Sequence, residues 1–178
     1  IVVSEVIFES KETLFQLAES ISRLSPDGIV FVVSGIDASG IIQQYAKHYT
    51  VPNLYGSLWT KATKIHEYGG RIVEGMILVD SFKNRTPTDR EKNFDESYIK
   101  QFKANPNFAA RYAYETLHLF ADAVEKVNTT DSETVKAEII NTDPIKGITD
   151  DYRMDKFGDV IRKQSLYIIK NNRYELLD

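Results

Sequence analysis

The chain has 178 residues, 42% apolar and 27% charged, with a net charge of −4 and a pI near 5.5. Those values fit a globular chain of one or two domains that can bury a real core, and the acidic balance, with no dense Lys/Arg stripe, argues against a nucleic-acid partner. No apolar run is long enough to span a bilayer, and the absence of cysteine suits a cytosolic chain by chance or a bacterial protein exported without disulfides.

The chain starts at Ile1 rather than Met and opens at once on strand-like sequence, so a fragment lacking its start, with any export signal, is expected. Ile1 to Phe8 is the first expected strand, rich in β-branched residues. Ser10 is placed as the N-cap of a helix reaching about Leu24, with Leu14, Leu17, Ala18, Ile21 and Leu24 on one face. Ser25-Pro26-Asp27-Gly28 is a turn. Ile29 to Val33 is an unbroken apolar run that suits a strand buried on both faces of a parallel sheet. Ser34-Gly35 breaks it. Ala38 to Tyr49 follows as a helix, with Ile41, Ile42, Tyr45 and Ala46 at helical spacing. Leu54-Tyr55-Gly56 is a second short strand. Thr60 to Tyr68 reads as a helix stopped at Gly69-Gly70, and Arg71 to Val79 as a further strand.

Strand and helix therefore alternate over the first eighty residues. That is the pattern of an α/β fold with a mostly parallel open sheet, right-handed crossovers and flanking helices. Asp80 to Lys92 is a polar linker. Helices are expected over Phe94–Lys103, Phe108–Val127 and Ser132–Asn141, the longest carrying a stripe of Leu117, Phe120, Ala121 and Val124. After Asp143-Pro144 short strands and turns take over, a C-terminal antiparallel hairpin region with turns at 156–159 and 170–173. The implied division is a parallel βα lobe over 1–80, a linker over 81–93, a helical segment over 94–142 and closing strands over 143–178.

In an open α/β sheet, ligands sit in the loops beyond the carboxyl ends of the strands. Here these are Ser34–Ser39 and Gly56–Thr60. A serine hydroxyl, backbone amides and a helix N-terminus at Ser34, Gly35 and Ile36 can hold an anionic group. Asp37 either caps its helix or pairs with an ammonium group. Leu58, Trp59 and Thr60 either wall the site or, for Trp59, fill the core. Phe108 and Arg111 open the longest helix; Arg111 either grips a carboxylate or is solvated. His48, His66 and His118 lack a second ligand-type residue at metal spacing, and Asp150, Asp151, Asp155 and Asp159 fit turn chemistry better than a calcium loop. No Walker lysine, dinucleotide glycine pattern or nucleophile elbow is present.

Three stretches carry a resemblance: DGIVFVVSGIDASGIIQQYAKHY, EYGGRIVEGMILVDSF and ITDDYRMDKFGDVIRKQSLYIIKNNRYELL. In this order, with RYAYETLHLFADAVEKV between the last two, the chain resembles the carboxyl-terminal half of type I periplasmic binding proteins, in particular the branched-chain amino-acid-binding branch that feeds ABC transporters. The resemblance implies a Rossmann-like lobe of a hinged two-lobe fold that closes on a small ligand without chemistry or cofactor. It implies an extracytoplasmic location and two partners, a small amino acid or related ligand and a membrane permease. It places ligand contacts at Ser34 through Asp37, at Leu58 to Thr60 and at Phe108 to Arg111. The leucine-binding members carry an acid near Leu58 or Trp59 for the ligand's amino group; this chain does not, which leaves Asp37 as a substitute or a ligand without an amine. Helices whose partner lobe is missing imply possible self-association of the fragment. Two other readings remain: a ligand-sensing receptor ectodomain, and an unrelated α/β enzyme using Asp37, Asp150 or Asp151.

Overall fold

The computed structural model describes residues 3–7, 13–81 and 87–177. Its elements in chain order are α1 (Leu14–Arg23), β1 (Gly28–Phe31), α2 (Gly35–His48), β2 (Asn53–Gly56), α3 (Leu58–Ala62), α4 (Ile65–Tyr68), β3 (Ile77–Asp80), α5 (Asp89–Phe102), α6 (Phe108–Val127), α7 (Ser132–Asn141), β4 (Arg153–Met154), β5 (Val160–Ile161), β6 (Ser165–Lys170) and β7 (Arg173–Leu177). They divide into two compact units, Ile1–Asp80 with Ser165–Asp178, and Ser81–Gln164.

The first unit is a five-stranded sheet in the order β1-β2-β3-β6-β7. The first three strands are parallel, and β6 and β7 join antiparallel. The expected α/β class with a closing hairpin is what forms. That hairpin turns at Asn171-Asn172, both at positive φ (52° and 60°), a conformation asparagine tolerates and tight hairpins need. Ile41, Ile42 and Tyr45 of α2 pack on Phe31, Leu54, Leu78 and Ile169 of the sheet, with Leu17, Ala18 and Ile21 of α1 beside them. Each such Leu, Ile or Phe side chain contributes about 1.5–3 kcal/mol on burial.

Five details depart from expectation. Residues 3–7 form no strand and are exposed, because β-propensity makes a strand only where a neighbour supplies a ladder; Ile1, Val2, Phe8 and the proposed cap Ser10 lie outside the described residues. The cap of α1 is Thr13, whose hydroxyl accepts from the Gln16 N–H at 3.2 Å while the Gln16 side chain accepts from the Thr13 N–H at 2.9 Å, a reciprocal capping box. β1 is an edge strand covered on one face among the described residues: Phe31 is buried but Val30 is 68% exposed. The helix expected over 60–68 is split by Lys64 at left-handed φ 57°, and the strand expected from Arg71 begins at Ile77, after a 3-10 turn over Gly70–Val73 and Gly75 at φ 84°.

In the second unit, α5 starts earlier than expected, within the proposed linker, because Thr88 caps it by accepting from the Glu91 N–H at 3.2 Å. Asn107 and Asp131 cap α6 and α7 in the same way. α6 packs through Glu115, Leu119 and Ala123, while Leu117 and Phe120 stay exposed. Leu119 meets Ile145 and Tyr152. Glu115 and Arg162 form a buried pair at 2.6 Å.

Candidate functional site

The carboxyl ends of β1 and β2 lie side by side, because the two strands are parallel and in register from Gly28↔Asn53 to Phe31↔Gly56. The loops that follow are laced together. The Ser57 N–H donates to the Phe31 carbonyl at 2.9 Å. The Thr60 hydroxyl lies 3.0 Å from the Phe31 carbonyl and 2.8 Å from the Val33 carbonyl and shares its proton between them. The Gly35 N–H donates to the Thr63 hydroxyl, which itself donates to the Trp59 carbonyl at 3.2 Å. Gly35 has to be glycine at this crossing: a Cβ there would stand 2.6 Å from the Thr60 carbonyl oxygen and 2.8 Å from Thr63 Oγ1.

The seven candidate residues of the first unit fall into two groups. Gly35 and Thr60 are buried and build the crossing, with Thr60 fully shielded. Ser34, Asp37 and Leu58 are half-buried, and Ile36 and Trp59 are exposed at 55% and 57%. Trp59 is therefore not a core side chain. With Ile36 it gives the strand ends an apolar surface, a few residues from the polar Ser34–Asp37 pair.

That pair changes the electrostatic reading of the α2 N-terminus. The Asp37 N–H donates to Ser34 Oγ at 3.1 Å, and the Ser34 hydroxyl donates back to Asp37 Oδ2 at 2.6 Å. The Ala38 N–H goes to the Ser34 carbonyl at 2.9 Å and the Gly35 N–H to Thr63. The chain's own carboxylate thus sits in the first turn, where the helix dipole favours it by about 0.3–1 kcal/mol. Asp37 is bonded into the cap of α2 through Ser34.

Two residues that sequence reasoning missed stand beside this surface. Lys61 of α3 pairs with Asp80, the last residue of β3, with side chains only 16% and 8% exposed. The ammonium lies 4.1 Å from the Tyr167 ring centroid and 5.1 Å from that of Tyr174. The Tyr174 hydroxyl donates to the Lys61 carbonyl at 3.1 Å, and burial pushes this phenol up to about 12, so it stays a donor. The available signal was an acid ending the apolar run Ile77–Val79, at a strand's carboxyl end. Nearby, the His66 ring packs against Tyr174 at 4.3 Å, and desolvation holds its pKa below 6.5.

The other two candidates belong to the second unit. Phe108 is half-buried at the start of α6, its ring 6.0 Å from that of Tyr112. Arg111 is not solvated: its guanidinium reaches Glu91 at 3.4 Å and Asp95 at 2.7 Å, and its side chain is 13% exposed. Of the acids weighed for a calcium loop, Asp155 serves the hairpin turn, accepting from the Phe157 and Asp159 N–H groups at 2.8 and 3.0 Å. Asp151 pairs with Lys146 at 2.6 Å.

A family profile described as periplasmic binding protein matches residues 14–172. Among solved structures, the chain is similar to a leucine-binding protein, LivK, from Thermotoga maritima MSB8, with a TM-score of 0.76 at 21% identity over 97% of this chain and 50% of that one. It is similar to the branched-chain amino acid transporter substrate-binding protein LivJ from Streptococcus pneumoniae, solved with isoleucine, at a TM-score of 0.69 and 16% identity over 96% of this chain and 50% of that one. A solute-binding protein of an ABC transporter from R. palustris, in complex with benzoate, gives a TM-score of 0.69 at 17% identity, over 96% of this chain and 48% of that one. The chain thus spans about half the length of these structures. A search of curated protein sequences finds no match.

Proposed function

This chain belongs to the periplasmic binding protein family, and from that premise we propose that it serves an ABC importer as an extracytoplasmic solute-binding protein, holding a small amine-bearing solute of the amino-acid or amide class without chemistry. The family is made of non-catalytic substrate-binding proteins that normally work outside the cytoplasm. No described helix is long and apolar enough to cross a membrane.

The observation that supports the reading is that the loops after β1 and β2, whose strands pair in register, carry a carboxylate at Asp37 and the exposed apolar Ile36 and Trp59. An acid beside an apolar surface suits a small solute with a charged or polar N–H end and a hydrocarbon side chain. It suits benzoate, which has no amine, less well than leucine or isoleucine. In this reading Ser34, Asp37, Ile36, Leu58 and Trp59 contact the solute, Gly35 and Thr60 hold those contacts in place, and Arg111 serves the α5–α6 pairing. The permease partner follows from the class of protein.

Thermal-shift and calorimetric titration with amino acids, their amides and small carboxylates tests this. A bound solute at ~100 times its dissociation constant stabilises the protein by about 2.7 kcal/mol. Asp37→Asn is expected to weaken amine-bearing solutes and to spare amine-free ones. Absence of stabilisation by every compound in the panel refutes the reading, and an Asp37→Asn variant with unchanged amine affinity refutes the role of Asp37.

A further inference from the structure

We infer that Lys61 is the positioning residue of this site: its ion pair with Asp80 sets the placement of α3 and therefore of Trp59. The inference deepens the solute-binding reading and takes its functional meaning from it, while its geometry is independent of it.

α3 has five residues, too few to hold a helix by its own hydrogen bonds. Its placement has to come from the surrounding chain. Thr60 fastens it to the end of β1, and Thr63, just beyond it, to the first turn of α2. Neither reaches the other half of the sheet. Lys61 does: its ammonium meets Asp80 at the end of β3 and the rings of Tyr167 on β6 and Tyr174 on β7. The same residue is held at its main chain by the Tyr174 hydroxyl. Lys61 is thus fastened at both ends.

Trp59 and Lys61 are two residues apart, so they point about 200° away from each other around the helix. One faces solvent while the other faces the sheet. A rotation of α3 about its axis therefore cannot move Lys61 without moving Trp59. Asp80 adds a second consequence. It is the last residue before the chain leaves the first unit, and its register partner is Ser165, where the chain returns. The helix that carries Trp59 is in this way tied directly to the two strands that connect this unit to the rest of the chain.

Trp59 is the single tryptophan, so its emission reports α3 without labels. Lys61→Met keeps the apolar stem and deletes the charge. It also removes the cation that pairs with buried Asp80, so Lys61→Met/Asp80→Asn is prepared with it to preserve the fold, and Lys61→Arg serves as the conservative rescue. The emission maximum and the acrylamide quenching of Trp59 are expected to shift in both charge-deleted proteins and to return in Lys61→Arg. With L-leucine as probe, the charge-deleted proteins are expected to bind about tenfold more weakly, equivalent to about 1.4 kcal/mol. A folded double variant whose Trp59 emission and quenching match the wild type overturns the inference. If Trp59 shifts as expected while leucine, isoleucine and benzoate leave every protein unaffected, the positioning role stands and the solute-binding reading does not.

Discussion

Alanine at Gly35 and alanine at Gly40 are the same change in the same helix, and the structure gives them opposite consequences. In a helix, replacing glycine by alanine removes backbone freedom from the unfolded chain and gains about 0.5–1 kcal/mol. At Gly40 the new methyl group would stand 2.6 Å from Leu14 Cδ1. That atom is the far end of a flexible side chain in the first turn of α1, and a rotamer change clears it. Gly40→Ala is therefore expected to be neutral or stabilising by a few tenths of a kcal/mol. At Gly35 the methyl group would stand 2.6 Å from the Thr60 carbonyl oxygen, 2.8 Å from Thr63 Oγ1 and 3.1 Å from the Ile65 nitrogen. Two of those atoms are backbone, so α3 and the start of α4 have to move away from α2. Overpacking of this kind costs about 1–3 kcal/mol. It also lengthens the Gly35–Thr63 hydrogen bond, itself worth about 0.5–1.5 kcal/mol. Offset by the helix gain, Gly35→Ala should destabilise by about 1–3 kcal/mol. Urea unfolding followed at Trp59 reads both variants through a residue of the site itself. The Gly35 variant should also show a displaced Trp59 emission before any urea is added. Equal stability of the two variants, or a more stable Gly35→Ala, would mean that α3 does not lie against the first turn of α2 as described.

Three further outcomes are expected. Arg111→Met removes one member of a buried charge group and leaves Glu91 and Asp95 facing each other, so a loss of about 3–5 kcal/mol is expected; a loss below ~1 kcal/mol in urea unfolding would return Arg111 to the solvated surface. His66 has its folded pKa lowered, chiefly by desolvation, with Lys61 and Lys64 adding to the effect and Glu67 opposing it. The folded state thus binds fewer protons at this ring, and stability should fall as pH drops through 6.5 toward the folded value and flatten below it; His66→Gln should shallow that slope between pH 7.5 and 5.5, and an unchanged slope would show the ring to be solvated. On α6, Leu119→Ala should cost about 2–5 kcal/mol, whereas Leu117→Lys, at a side chain 69% exposed, should stay within about 0.5 kcal/mol of wild type; reversed effects would mean that α6 packs through its other face.

Local chemistry was readable before any coordinates. Asp131 ends its loop as the cap of α7, and Asn107, read only as part of the stop of the helix before it, also caps α6; such caps are hydrogen bonds over three residues. Asn171-Asn172 announced the last hairpin, and the alternation from Ile29 to Val79 announced a largely parallel sheet. Ser34 and Trp59 were brought to one place by a topological rule: parallel neighbours put their following loops at the same end. What the chain could not reveal alone is which of its groups meet across long loops. Gly35 meets Thr63 across 28 residues, and Lys61 meets Asp80 across 19. Nothing in the identity of either partner names the other. Exposure followed the same rule. The run Ile29–Val33 reads as a strand covered on both faces, yet Phe31 is buried while Val30 is 68% exposed, because what covers a sheet face is set by what packs on it. Asp37 reads from sequence as a cap or as a charge waiting for a solute, and the fold bonds it to Ser34 at the start of α2. Hydrogen bonds within a turn are set by neighbouring residues, so sequence decides them; burial and ion pairing depend on distances that exist only after the chain has folded.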